Sequence, residues 1–167
     1  MCNQFFTALD TGTLFCGNCG VAFTDELNIS QLEEMIKNGN PEDLSVVSAL
    51  TDAAIAYLKG TKGAQIDKEK AREYVEIAAE NGGGAALFML GNSDIDNANK
   101  GEGELSHEDL QLLFLGLVKL ARAHHIGYQL ATHALTAYID VDPWGISNDI
   151  IEMMSKSDPQ LWDFKEE

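Results

Sequence analysis

The sequence returns to one order of small residues after 45 positions: Ala78, Gly82, Ala86 and Leu90 recur as Ala123, Gly127, Ala131 and Leu135. Alanines on two successive helices let their backbones approach closely, and a glycine permits the tight turn between them. The leucine then fills the space below. A helical pair of this kind cannot cover its own apolar face, so it must stack on neighbours. The recurrence therefore predicts an all-α chain of stacked antiparallel helical pairs.

Helix boundary signals divide most of the chain in the same sense. Asn28 with Gln31 makes a capping box before Ile29, Leu32, Met35 and Ile36, and Asn38-Gly39 can end that helix. Asn40 is followed by Pro41 at the favoured first helical position and by Glu42 and Asp43, which suit the positive end of a helix dipole. Leu44, Val47, Leu50, Ala54 and Leu58 then share one face before Gly60. Asp67 caps a third helix with Ala71, Tyr74, Val75 and Ala78 in one stripe and Asn81-Gly82 as its stop. A short helix over 85–90 is expected next, followed by a polar, glycine-bearing loop over 92–104. Ser106 caps a long helix carrying Leu110, Leu113, Phe114, Leu117 and Leu120, and Gly127 punctuates it. Further helices are expected over 128–139 and 146–154, with a turn at Asp142-Pro143 between them.

The first 27 residues read differently. Thr13 to Phe15 and Val21 to Phe23 flank the glycine-rich Cys16 to Gly20 stretch and can form a small hairpin, but each run is short. The expected organisation is an irregular N-terminal segment over 1–27 and a helical-repeat domain over 28–167.

The stretch from Leu50 to Gly91 adds a family likeness. It reads Leu50, Ala54, Tyr57, Gly60, then Asp67-Lys68-Glu69-Lys70-Ala71, Tyr74, Ala78-Ala79-Glu80-Asn81-Gly82, Ala86 and Leu90-Gly91. This resembles the SEL-one-like repeat, a subfamily of tetratricopeptide-type repeats whose signature has that Ala-Ala, Gly, Ala and Leu-Gly order. The next copy departs from it, with His124 where the alanine doublet should finish and Thr136 where the second glycine should stand. The resemblance implies an α-α superhelix that serves other proteins as an adaptor or scaffold. It brings no catalytic residues with it.

Charge narrows the choice of partner. Eleven Lys and Arg against 27 Asp and Glu give a formal charge of −16, which repels phosphate backbones and anionic lipid heads. The expected partner is another protein, basic in character, rather than nucleic acid or a membrane. An immunity or inhibitor protein that neutralises a basic toxin or enzyme fits the same charge. No stretch approaches the roughly 20 apolar residues of a membrane span, and no secretory signal opens the sequence, so a cytoplasmic location is expected.

Candidate chemistry is sparse. Cys16-Gly17-Asn18-Cys19-Gly20 has the spacing of a zinc knuckle, yet a structural zinc needs four ligands and the only other cysteine is Cys2. A metal-dependent enzyme would need Cys16, Cys19 and a distant His to meet around one ion. His124 and His125 are adjacent on a helix and point about 100° apart, which leaves polar helix-end residues as the simpler reading. Gly82-Gly83-Gly84 lacks the Lys-Ser or Lys-Thr of a phosphate loop, and the acidic stretch from Asp94 to Glu102 lacks the ligand spacing of a calcium loop. Neither an enzyme nor a cofactor is therefore expected.

Partner contact is expected from Glu73 and Glu76, placed on the solvent side of their helix, and from Tyr138, Trp144 and Trp162, a residue type enriched at binding hot spots. With so few metal ligands, the chain should purify without stoichiometric zinc. Elemental analysis that finds close to one zinc per chain, lost on Cys16→Ser, would contradict this reading.

Overall fold

The computed structural model describes residues 5–7, 14–16, 22–23, 27–98, 105–141, 152 and 156. Among these, three short strands, β1 (Phe5–Thr7), β2 (Leu14–Cys16) and β3 (Ala22–Phe23), precede six helices. The helices are α1 (Ile29–Asn38), α2 (Leu44–Lys59), α3 (Lys68–Glu80), α4 (Gly84–Ala98), α5 (His107–His125) and α6 (Gln129–Val141). Helix dominates, and the chain belongs to the all-α class. It divides into two compact units, Met1–Asn81 and Gly82–Glu167.

In the first unit the strands form an antiparallel meander in the order β1-β2-β3. The β2–β3 pairing, with Leu14 opposite Phe23 and Phe15 opposite Ala22, is the expected hairpin, and β1 adds a strand that the sequence did not signal.

α1 begins with the expected capping box: the Asn28 side chain accepts from the Gln31 amide, and the Gln31 side chain accepts from the Asn28 amide, both at 3.0 Å. α2 starts later than Pro41 suggests. The Asn40 side chain accepts from the Glu42 amide at 3.3 Å, and the Asn40 carbonyl accepts from the Asp43 amide at 2.9 Å. These bonds turn the chain around Pro41, so Asp43 becomes the N-cap and its carbonyl receives the amides of Val46 and Val47. Gly39 permits the close approach just before this turn, since a Cβ there would lie 2.3 Å from the Val46 side chain.

The apolar face of α2 also differs from the expected stripe. Val47, Leu50 and Ala54 are buried, but Leu44 is 71% exposed and Leu58 is exposed as well. Val46, Ala49, Ala53 and Ala56 are buried instead. α2 is covered from two directions, because both α1 and α3 pack on it. Ala49, Ala53 and Ala56 meet Ile29 and Leu32 of α1, with Leu27, Ile36, Tyr57, Ala64 and Tyr74 around them. α2 ends at Gly60, whose left-handed conformation (φ 66°) closes the helix as expected.

α3 opens at Asp67, which accepts from the Lys70 amide at 3.0 Å, and buries Ala71, Val75 and Ala78 as expected, with Tyr74 half-buried.

In the second unit α4 runs to Ala98, well past the expected end near Leu90. Ser93, Asp96 and Asn97 are exposed and Asp94 accepts from the Lys119 ammonium of α5, while Ile95 and Ala98 continue the buried face, one turn and two turns after Gly91. Asn92 also satisfies its side chain on the helix itself, donating to the Phe88 carbonyl at 2.9 Å. Residues 99–104 of the expected loop lie outside the described residues, as do 142–151, with the Asp142-Pro143 turn and the start of the expected last helix. Glu152 and Lys156 are helical. α5 begins with a second capping box, between Ser106 and Asp109.

α4 and α5 cross at two glycines. A Cβ on Gly91 would sit 2.8 Å from the Gly116 carbonyl oxygen, and one on Gly116 would sit 2.7 Å from that of Gly91. The contacts run in opposite senses along the two segments: Gly84 and Phe88 meet Tyr128, Gly91 meets Leu120, and Ile95 meets Gly116. The helices are therefore antiparallel. Around the crossing lie Ile95, Ala98, Leu113, Leu117, Leu120, Ala121 and Leu135. Each fully buried leucine contributes about 1.5 to 3 kcal/mol. An exposed ion pair such as Lys156–Glu152 contributes about 0 to 1 kcal/mol, so apolar burial and not surface charge holds the unit together.

The recurring small residues are placed consistently. Ala78, Ala86, Ala123 and Ala131 are all fully buried. Gly82 and Gly127 both adopt left-handed backbone (φ 80° and 91°), with nothing within 4 Å of an added Cβ, so conformation rather than space calls for glycine at each. Ala86→Leu and Gly116→Ala should each lower stability by about 1 to 3 kcal/mol through overpacking. Urea denaturation checks this as a lower midpoint at unchanged slope; a midpoint unchanged in both variants would contradict such close packing.

Candidate functional site

α3 presents its charged face to solvent because its alanines and Val75 occupy the opposite one. Glu73 and Glu76 are both exposed, as expected, and Glu69 and Glu80 are exposed in line with them at spacings of three and four. The four carboxylates form one acidic stripe. Glu76 accepts from the Arg72 side chain at 2.7 Å, one turn away. The sequence contained the signal for Glu69 and Glu80 in that same helical spacing.

Tyr138 on α6 is half-buried and packs against the core cluster of the second unit. Burial, assisted by the nearby charge of Asp96, pushes its hydroxyl above the ordinary tyrosine range. Most of its ring therefore serves packing. Trp144 and Trp162 lie outside the described residues.

A polar cluster that the sequence did not announce ties the three helices of the first unit. Glu33 of α1 accepts from the Lys70 ammonium of α3 and, at 2.7 Å, from the Tyr57 hydroxyl of α2. The Tyr74 hydroxyl approaches the same oxygen at 3.4 Å. Lys70 also donates to the Tyr57 hydroxyl at 2.8 Å. Its nitrogen lies 4.6 Å from the Tyr57 ring centroid and 5.7 Å from that of Tyr74. The two rings meet edge to face at 6.0 Å. Glu33 and Lys70 are each 35% exposed, so solvent reaches the charges while the rings flank them.

The hydrogen bonds of this cluster hold its charged groups in their usual protonation states. Hydrogen bonds from Lys70 and then Tyr57 hold the Glu33 carboxyl below its ordinary 4.5. Hydrogen bonding to Glu33, then Tyr57, pushes Lys70 well above the ordinary lysine range. Burial raises the Tyr74 hydroxyl. Glu33 and Lys70 therefore stay charged, and Tyr74 stays neutral, around neutral pH.

The histidines do not assemble into a centre. His124 Nδ1 lies 2.7 Å from the Thr132 hydroxyl, and His125 and His133 are exposed. Among the described residues no group of three or more His, Cys, Asp and Glu side chains is placed to hold a metal ion. The zinc-knuckle spacing at Cys16 and Cys19 lies outside this description, since Cys19 is not among the described residues. No helix among the described residues is long and apolar enough to cross a membrane. The chain matches no protein-family model, no characterised protein and no solved structure.

The polar cluster makes stability depend on pH with a definite sign. Because the folded carboxyl of Glu33 titrates below its unfolded value of 4.5, its contribution is full above that value and is lost as pH falls through the folded one. For Lys70, raised above its ordinary 10.5, the contribution is full below that value and is lost only as pH rises through the higher folded one. Urea midpoints should therefore separate the unaltered chain from Glu33→Gln at neutral pH and converge in acid. A separation that persists unchanged at pH 2 would contradict the assignment.

Proposed function

We propose that this chain is a protein-binding helical-repeat module of the SEL-one-like kind, an adaptor or scaffold that engages a basic protein or peptide. The observation that carries the repeat reading is the phase of the helix boundaries. α3 ends at Glu80 and α4 begins at Gly84; α5 ends at His125 and α6 begins at Gln129, each 45 residues later. Eight residues separate α2 from α3, while three separate α3 from α4 and α5 from α6. A short link within a pair and a longer one between pairs suit a series of stacked helical pairs. The buried alanines and left-handed glycines fall at matching places in that alternation.

The case for a basic partner rests on the charge of −16 and on the exposed stripe of Glu69, Glu73, Glu76 and Glu80. Such a field raises the encounter rate with a cationic surface. Trp144 and Trp162 remain the proposed anchors, with Tyr138 contributing only its accessible edge. The same charge favours, as a second reading, an immunity or inhibitor protein that occludes a basic toxin or enzyme.

Capture from extract at low and high salt, followed by mass spectrometry, separates the two readings by the identity of what is bound. With the captured partner on a surface, association should slow as the Debye length falls from about 10 Å at 0.1 M to about 3 Å at 1 M. Glu73→Lys with Glu76→Lys should slow it further, whereas Trp144→Ala should mainly speed dissociation. An association rate indifferent to salt removes the electrostatic role.

A further inference from the structure

Lys70 occupies an arrangement that proteins use to bind ammonium groups from other molecules. Its nitrogen lies 4.6 Å and 5.7 Å from the centroids of two tyrosine rings inclined at 63° to one another, and it donates to the Tyr57 hydroxyl and to the Glu33 carboxylate. Aromatic faces carry a negative quadrupole that attracts a cation within about 6 Å, and both centroid distances fall inside that limit. Glu33 and the Tyr57 hydroxyl supply oxygen acceptors for its N–H groups. Each wall comes from a different residue: Glu33 from α1, Tyr57 from α2 and Tyr74 from α3.

We propose that Glu33, Tyr57 and Tyr74 form a cage for a primary ammonium group, closed in the free chain by Lys70 and entered by a lysine of the basic partner in its place. The proposal rests on the reading of a basic partner only for the source of that lysine. The cage opens to solvent, as the 35% exposure of both charged side chains shows, so exchange of one ammonium for another needs no unfolding of the three helices. Lys70 competes from the same chain, and tethering gives it an effective concentration of roughly mM or more. A free lysine therefore binds poorly. A partner already held along the acidic stripe of α3 supplies a comparable local concentration, because Lys70 lies on the same helix, one residue from Glu69.

The chemistry also sets a preference. Glu33 and the Tyr57 hydroxyl accept N–H groups, which a primary ammonium has and a trimethylammonium lacks. The cage should favour unmodified lysine over its trimethylated form, whereas an apolar hole left by a shortened side chain would accept either.

The test uses two small probes, Nα-acetyl-lysine methylamide and its Nε-trimethyl derivative, titrated into full-length protein while the Tyr57 and Tyr74 ring resonances are followed. Lys70→Ala, folded by circular dichroism, should bind the unmodified probe saturably and at least tenfold more tightly than the unaltered chain. It should bind the trimethyl probe more weakly, and adding Glu33→Gln should abolish the difference between probes. A folded Lys70→Ala that binds neither probe, or both equally, overturns the proposal. If that variant does not fold, the unaltered chain decides. Its ring resonances should move with the unmodified probe well above the mM range that tethering supplies; no movement there overturns the proposal. Because no partner is needed, failure of the cage leaves the adaptor reading standing, and failure to capture any partner leaves the cage measurable.

Discussion

At Gly91 and Gly116 the backbones of α4 and α5 meet with no room for a methyl group on either side. Most of the second unit follows from that contact. With the helices this close, Ile95, Leu113, Leu117 and Leu120 interlock instead of holding the axes apart, and Leu135 of α6 reaches the same cluster. α4 keeps its helical course through the polar residues after Gly91 because Ile95 and Ala98 lie over α5. The propensity of Asn92, Ser93 and Asp94 for caps and turns is outweighed by burial.

The first unit uses small residues in the same way but adds a polar tie. Ala49, Ala53 and Ala56 let α1 lie close to α2, and Ala71, Val75 and Ala78 are the buried face of α3. At one end of this packing, Glu33 collects donors from both neighbouring helices. Its net contribution is modest, since a partly exposed pair in water gains little Coulomb energy. Its geometric specificity is larger: one carboxylate position is compatible with Tyr57, Lys70 and Tyr74 together.

These features bear on function through what they leave outside. Small residues consume little surface when they pack, so the charged faces of the helices remain available for contact. The acidic stripe of α3 exists because Ala71, Val75 and Ala78 already satisfy that helix on its opposite side.

Local chemistry was legible in the sequence wherever a few neighbouring residues decide the outcome. The capping box at Asn28, the caps at Ser106 and Asp67, the left-handed glycines Gly60, Gly82 and Gly127, and the buried alanines Ala78, Ala86, Ala123 and Ala131 all depend on groups within about one helical turn or on a repeating spacing. The start of α2 past Pro41 was also a local matter, since Asn40 bonds the amides of Glu42 and Asp43, but it needed the geometry of that turn to be seen. Tertiary structure decided the rest: the buried face of α2 broadened because two helices cover it. α4 lengthened because its polar residues ride on a buried face, and Gly116 proved to be a contact point only once Gly91 lay against it. The cluster of Glu33, Tyr57, Lys70 and Tyr74 joins residues up to 41 positions apart. No local pattern encodes such a meeting, since each side chain is ordinary on its own helix and acquires its role only when three helices bring them within hydrogen-bonding distance.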